Sequence, residues 1–142
     1  MSTVRHLAHA TASTGSTLPA YRVNIRAGAH TLVADEPTSA GGGDLGPSPF
    51  GLLLSALAAC TAMTLRMYAI RKGWELRTID VDVQANIGDD RRRTIERTIT
   101  VPADLSAEQV QSLATIAEKT PVTLAIRDGV PISTTFGPGP TN

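Results

Sequence analysis

The sequence predicts an α+β fold: a twisted antiparallel sheet against a long buried central helix. Three observations carry this. Residues 21–34 and 78–101 each alternate apolar and polar side chains about a turn, the pattern of hairpins with one wet face. The longest apolar run, Leu52 to Leu65, has helix punctuation at both ends. Two shorter helical segments follow the second hairpin, an order that fits α+β.

Length and composition narrow the classes. With 142 residues and 42% hydrophobic content the chain makes one domain with a real core. We divide it into a flexible N-terminal extension over 1–19, a folded domain over 20–136 and a disordered tail over 137–142. Thirteen basic and thirteen acidic residues cancel, which gives no argument for nucleic acid or an anionic membrane. Aromatic content of 4% is low for a base-stacking surface. A single cysteine points to a reducing, cytoplasmic setting rather than a disulfide-stapled secreted domain. The first 19 residues lack the apolar core of a signal peptide.

Taken in order, Tyr21, Val23 and Ile25 alternate with Arg22, Asn24 and Arg26 as a half-buried strand. Ala27-Gly28-Ala29 turns the chain, His30 to Ala34 returns, and Pro37 ends the hairpin. Residues 38–47, with Gly41-Gly42-Gly43 and Gly46, read as a mobile connection. Ser48 caps the central helix, Pro49 fits its first turn, and Gly73 stops it after Arg71 and Lys72. From Pro49 to Lys72 it runs roughly 36 Å at about 1.5 Å per residue. Its first turns are apolar on every side, so it has to be surrounded. So short a chain has few elements to do this alone, which predicts a homodimer. Its uncharged part is shorter than the roughly 20 residues that span a bilayer, so a buried core helix is expected rather than a membrane span.

The second hairpin sets Ile79, Val81, Val83, Ala85 and Ile87 against Ile95, Ile99 and Val101, with its turn at Gly88-Asp89-Asp90. Arg91-Arg92-Arg93 sits near the tip as a solvated charge cluster. Ser106 and Gln109 form a capping box for an amphipathic helix reaching about Lys119. Thr120-Pro121 starts a short helix, Asp128-Gly129 is a turn, and Val130 to Phe136 reads as a final strand.

The segment from Asp44 through Gly46-Pro47-Ser48-Pro49 to Ala59-Cys60-Thr61 and on to Ala69, with Arg71-Lys72-Gly73-Trp74 after it, resembles the cysteine helix of the OsmC/Ohr superfamily. Ala34-Asp35-Glu36-Pro37 is similar to a segment of the OsmC-like branch. The resemblance implies an intertwined homodimer with its sites at the subunit interface. It also implies thiol-dependent reduction of organic hydroperoxides, with no cofactor, in which Cys60 takes the peroxidatic position. The attacking species is the thiolate, and a free thiol ordinarily ionises near pH 8.5.

Three departures qualify this. The place of the family's second, resolving cysteine is held by Thr120 before Pro121, so a sulfenate on Cys60 would need an external thiol. Phe50 and Gly51 occupy the helix turn where the family commonly has an acidic residue, which leaves Glu36 as the candidate carboxylate. Arg26 is the candidate activating arginine, although the strand alternation places it on the polar face with Arg22. The helix macrodipole gives little help, because Cys60 lies three turns inside the helix.

Other groups point elsewhere. His6 and His9 have metal-compatible spacing but no third ligand, so no metal site is expected. Gly41-Gly42-Gly43 lacks the Lys and Ser/Thr of a phosphate loop. His30 is expected at the surface, Met63 and Met67 as core filler, and Trp74 as the anchor of the helix end. The sequence therefore predicts a redox protein that reduces peroxides through Cys60 and an external thiol. The alternatives are a non-catalytic dimer binding a hydrophobic ligand at its interface, for which Phe50 speaks, and a purely structural dimer.

Overall fold

A computed structural model describes residues 4–16 and 20–139. Residues 1–3 and 17–19 of the expected extension, and 140–142 of the expected tail, lie outside the described residues. The elements follow as strands β1 (Ala10–Thr14), β2 (Val23–Ala27) and β3 (His30–Ala34), helix α1 (Pro49–Lys72), strands β4 (Asp80–Ile87) and β5 (Arg93–Thr100), and helices α2 (Ala107–Ala117) and α3 (Pro121–Asp128). The chain divides into two compact units, 1–55 and 56–142. The α+β class holds, and every strand pairing is antiparallel.

In the first unit β1, β2 and β3 form a three-stranded sheet in that order. Ile25 faces Leu32, and Ala27 faces His30 across a two-residue loop. Gly28 leads that loop with φ +59°, the arrangement a tight hairpin favours. Strand β1 corrects the reading of residues 1–19 as wholly flexible. All five of its side chains are exposed, so it carries no apolar alternation and is held by main-chain pairing to β2.

The glycine-rich connection is also a correction, because it is built around a buried charge. Asp35 is buried, and its carboxylate accepts backbone N–H groups of Glu36 (2.8 Å), Gly43 (3.1 Å) and Leu45 (3.3 Å). Backbone bonds from Asp35 N–H to the Pro47 carbonyl and from Asp44 N–H to the Glu36 carbonyl close the loop. A side chain at Gly42 would run into the Glu36 carbonyl, and one at Gly46 into that of Val33. These glycines serve close packing of backbone on backbone.

The second unit holds the β4–β5 hairpin, α2, α3 and most of α1. Among the described residues the antiparallel strands form two ladders, β1–β2–β3 in the first unit and β4–β5 in the second. Leu65, Ala69, Leu76, Leu113 and Ala117 form the core, flanked by Tyr68, Trp74, Ile99 and Val101. Trp74 meets Tyr68 edge to face with ring centroids 5.6 Å apart.

Helix α1 has the expected bounds. Ser48 Oγ accepts the Gly51 N–H at 3.1 Å. Gly73 ends the helix at φ +72°, with Gly73 N–H to the Ile70 carbonyl and Trp74 N–H to the Ala69 carbonyl, a Schellman closure. Only one stripe is buried, Leu57, Thr61, Leu65 and Ala69 at four-residue spacing. Met63 and Met67 are 63% and 55% exposed, not core filler, since they project from the opposite side. By length and composition α1 could cross a bilayer, a test that core helices of soluble proteins also pass. Arg66, bonded to the Leu76 and Arg77 carbonyls, ties α1 into the second unit.

The expected final strand does not form. Residues 130–136 have no ladder partner among the described residues, and Ile132 and Phe136 are 85% and 100% exposed. Pro131 removes one donor that a ladder would need.

Asp35→Ala should strip three backbone N–H groups of their acceptor and lower stability by about 1–3 kcal/mol in urea unfolding.

Candidate functional site

Cys60 is a free, half-buried thiol in the middle of α1. The helical wheel sets it on the flank of the buried stripe, between Leu57 and Thr61 on one side and exposed Met63 and Met67 on the other. The hydroxyl one turn on, Thr64 Oγ1, lies 4.0 Å from its sulfur.

The residue after Cys60 joins a network of polar contacts within the second unit. Thr61 Oγ1 donates to the Leu57 carbonyl at 2.7 Å and accepts from Arg97 Nη1 at 2.9 Å. Arg97 comes from β5, opposite Val83, and its side chain is 11% exposed. The same nitrogen donates to Thr123 Oγ1 at 2.8 Å. Arg97 Nη2 donates to the Ala117 carbonyl at 3.0 Å and to Glu118 Oε1 at 3.2 Å. One guanidinium therefore ties the Cys60 turn of α1 to the end of α2 and the start of α3. A planar fork with several fixed donors suits this task better than the single ammonium of a lysine.

Thr120 is fully buried at the N-cap of α3. Its Oγ1 accepts the Thr123 N–H at 3.4 Å and lies 2.6 Å from Thr123 Oγ1. Thr123 Oγ1 donates to the Ala117 carbonyl at 3.3 Å, which leaves its lone pairs for Arg97 and Thr120. The hydroxyl at position 120 thus has a structural partner, and its oxygen completes the corner that Arg97 holds.

Glu118 bridges Arg97 to Arg127 of α3, and Arg127 Nη1 also donates to the Glu118 carbonyl at 3.1 Å. The hydrogen bond from Arg127 is the main reason the Glu118 carboxyl titrates below its ordinary value, with both arginine charges adding to it. Beside this bridge is a cavity of about 280 Å³, lined by Leu57, Arg97, Glu118, Thr123, Ile126 and Arg127 among others.

The other expected site residues belong to the first unit. Arg26 is exposed on β2 between Thr11 and Thr31, on the polar face as the alternation required. Glu36 is half-buried beside Asp35, and its backbone serves the glycine loop. The first turn of α1 contains no acidic residue. Sequence reasoning passed over Arg97 and its partners Thr61, Thr123, Glu118 and Arg127. A signal was there: Arg97 interrupts the apolar phase Ile95, Ile99, Val101 of its strand, the mark of a charge turned inward.

The family model of OsmC-like proteins matches residues 41–135. The chain belongs to the OsmC family. No curated protein matches it in sequence. Solved structures share its fold. An OsmC-like protein from Mycoplasma pneumoniae is 16% identical with a TM-score of 0.69, over 89% of this chain and 91% of that one. The organic hydroperoxide resistance protein OsmC of Legionella pneumophila is 19% identical with a TM-score of 0.64, over 88% and 92%. The organic hydroperoxide resistance protein OhrB of Bacillus subtilis is 26% identical with a TM-score of 0.59, over 87% and 93%. The matched segment includes Cys60, Arg97 and Thr120 of this OsmC-family chain.

Arg97→Ala should cost about 2–3 kcal/mol, since it leaves buried Thr61, Thr123 and the Ala117 carbonyl short of a donor. Arg97→Lys should recover only part of this in the same thermal or urea unfolding. Glu118 has a lowered folded pKa, so its contribution is full above the ordinary carboxylate pKa and is lost as pH falls through the folded value. Glu118→Gln should therefore flatten the acid limb of a stability–pH curve between those values. The effect is small because the side chain is more than half exposed.

Proposed function

We propose that this protein reduces organic hydroperoxides with Cys60 as its single redox-active thiol and an external thiol as reductant. The observation that carries the reading is Cys60 itself, a free thiol on the flank of α1 within the segment that the family model matches. The sulfur of the thiolate attacks the outer peroxide oxygen, the O–O bond breaks, and the alkoxide leaves and takes a proton to become an alcohol. Cys60 is left as a sulfenic acid. Thr120 cannot form a disulfide with it, so a thiol from solution condenses with the sulfenic acid and releases water. A second thiol opens the mixed disulfide and regenerates Cys60.

The working unit in this reading is a homodimer in the cytoplasm. Met63, Met67 and Ile70 leave an apolar face of α1 exposed in the single chain, and a second copy would cover it. The same face favours a second reading, a dimer that holds a hydrophobic ligand without turnover.

Treatment with an organic hydroperoxide should convert Cys60 to a sulfenic acid, seen as one added oxygen by mass spectrometry, and a small thiol should reverse it. Cys60→Ser should lower thiol-dependent peroxide consumption to the uncatalysed level. Turnover surviving in Cys60→Ser rejects the mechanism. No turnover with several thiols, together with a bound apolar molecule in native mass spectrometry, selects the ligand-binding reading.

A further inference from the structure

The reaction just proposed lacks an internal resolving thiol, and the second unit contains a cavity with the chemistry to bring one. Resting on that reading, we propose that the cavity between Arg97 and Arg127 docks a small thiol bearing a carboxylate, which resolves the oxidised Cys60.

The charge favours a carboxylate. Two guanidiniums and one carboxylate leave the cavity one positive charge in excess. Arg127 uses one N–H on each terminal nitrogen for Glu118, so three of its five donors have no partner among the described residues. It is half exposed and can present two parallel N–H groups to an incoming carboxylate. Arg97 is spent on four acceptors and fixes the wall rather than the ligand. Leu57 and Ile126 supply an apolar wall for a short methylene chain.

The position and size favour a small thiol. Leu57 is three residues before Cys60 on the same helix, roughly 4.5 Å of rise away. Thr123, which also lines the cavity, is bonded to Thr120, where the resemblance places the resolving cysteine. A volume of about 280 Å³ lies at the small end for ligand sites, which suits a molecule of a few carbons. Its sulfur attacks the sulfenic sulfur of Cys60, an S–S bond forms, and the hydroxyl leaves as water with the thiol proton. A second molecule of the same thiol then releases the symmetric disulfide.

A carboxylate could instead arrive on the peroxide, so the test separates the two. With neutral tert-butyl hydroperoxide, the KM for 3-mercaptopropionate should lie about tenfold below that for 2-mercaptoethanol. Arg127→Gln should bring that ratio towards one. Glu118→Gln, which removes the competing carboxylate, should widen it. Comparing ratios between variants cancels the intrinsic reactivity of the two thiols. An unchanged ratio in Arg127→Gln overturns the inference and leaves the peroxidase reading standing. So does a preference that follows a carboxylate on a tertiary hydroperoxide with 2-mercaptoethanol as reductant. If no pair turns over, the peroxidase reading itself fails. Calorimetry of 3-mercaptopropionate with Cys60→Ser then decides the cavity alone, and no binding there overturns this proposal too.

Discussion

The second unit depends on the guanidinium of Arg97. A buried cation costs several kcal/mol of desolvation unless its donors are satisfied. Four acceptors on three helices do so here: Thr61 on α1, Ala117 at the end of α2, Glu118 just after it, and Thr123 on α3. In meeting its own requirement, Arg97 fixes the helix turn that carries Cys60 against the corner that carries Thr120. The threonines are then constrained as well, because each hydroxyl already donates elsewhere and offers the lone pair that Arg97 needs.

Asp35 solves the corresponding problem in the first unit with opposite sign. Its buried carboxylate collects three backbone N–H groups from a loop that would otherwise leave them unsatisfied. The loop glycines then become a packing device, since at Gly42 and Gly46 the backbones come too close for a side chain. Both units thus order a junction of the backbone around one charged side chain that is largely out of water. The glycine-rich stretch leads straight into Ser48, whose hydroxyl caps the start of α1.

The functional reading turns on what α1 leaves uncovered. One stripe of the helix packs in its own chain, and Cys60 borders it. The sulfur is neither locked in the core nor held by a charged side chain among the described residues, with Thr64 Oγ1 its polar neighbour. A thiol so placed can be reached, and its chemistry then rests on what the opposite side of the helix meets. The family assignment supplies the chemistry to look for, while the Arg97 corner and its cavity are features this chain shows in its own residues.

The sequence by itself determined what is local. Ser48, Pro49 and Gly73 set the bounds of α1, Ser106 with Gln109 and Thr120 with Pro121 set the starts of α2 and α3, and period-two alternation set both hairpins. It also singled out Cys60, the lone thiol of the chain. The tertiary structure decided what depends on partners distant in sequence. Strand β1 has no apolar pattern and exists through its pairing with β2, whereas residues 130–136 have the pattern and no strand to pair with. Arg97 looked like one charge among many on a hairpin, and only folding brings Thr61, 36 residues away, within 2.9 Å of it. Periodicity records which face a side chain occupies. What that face meets is settled by long-range packing, and the chemistry of a site lies there.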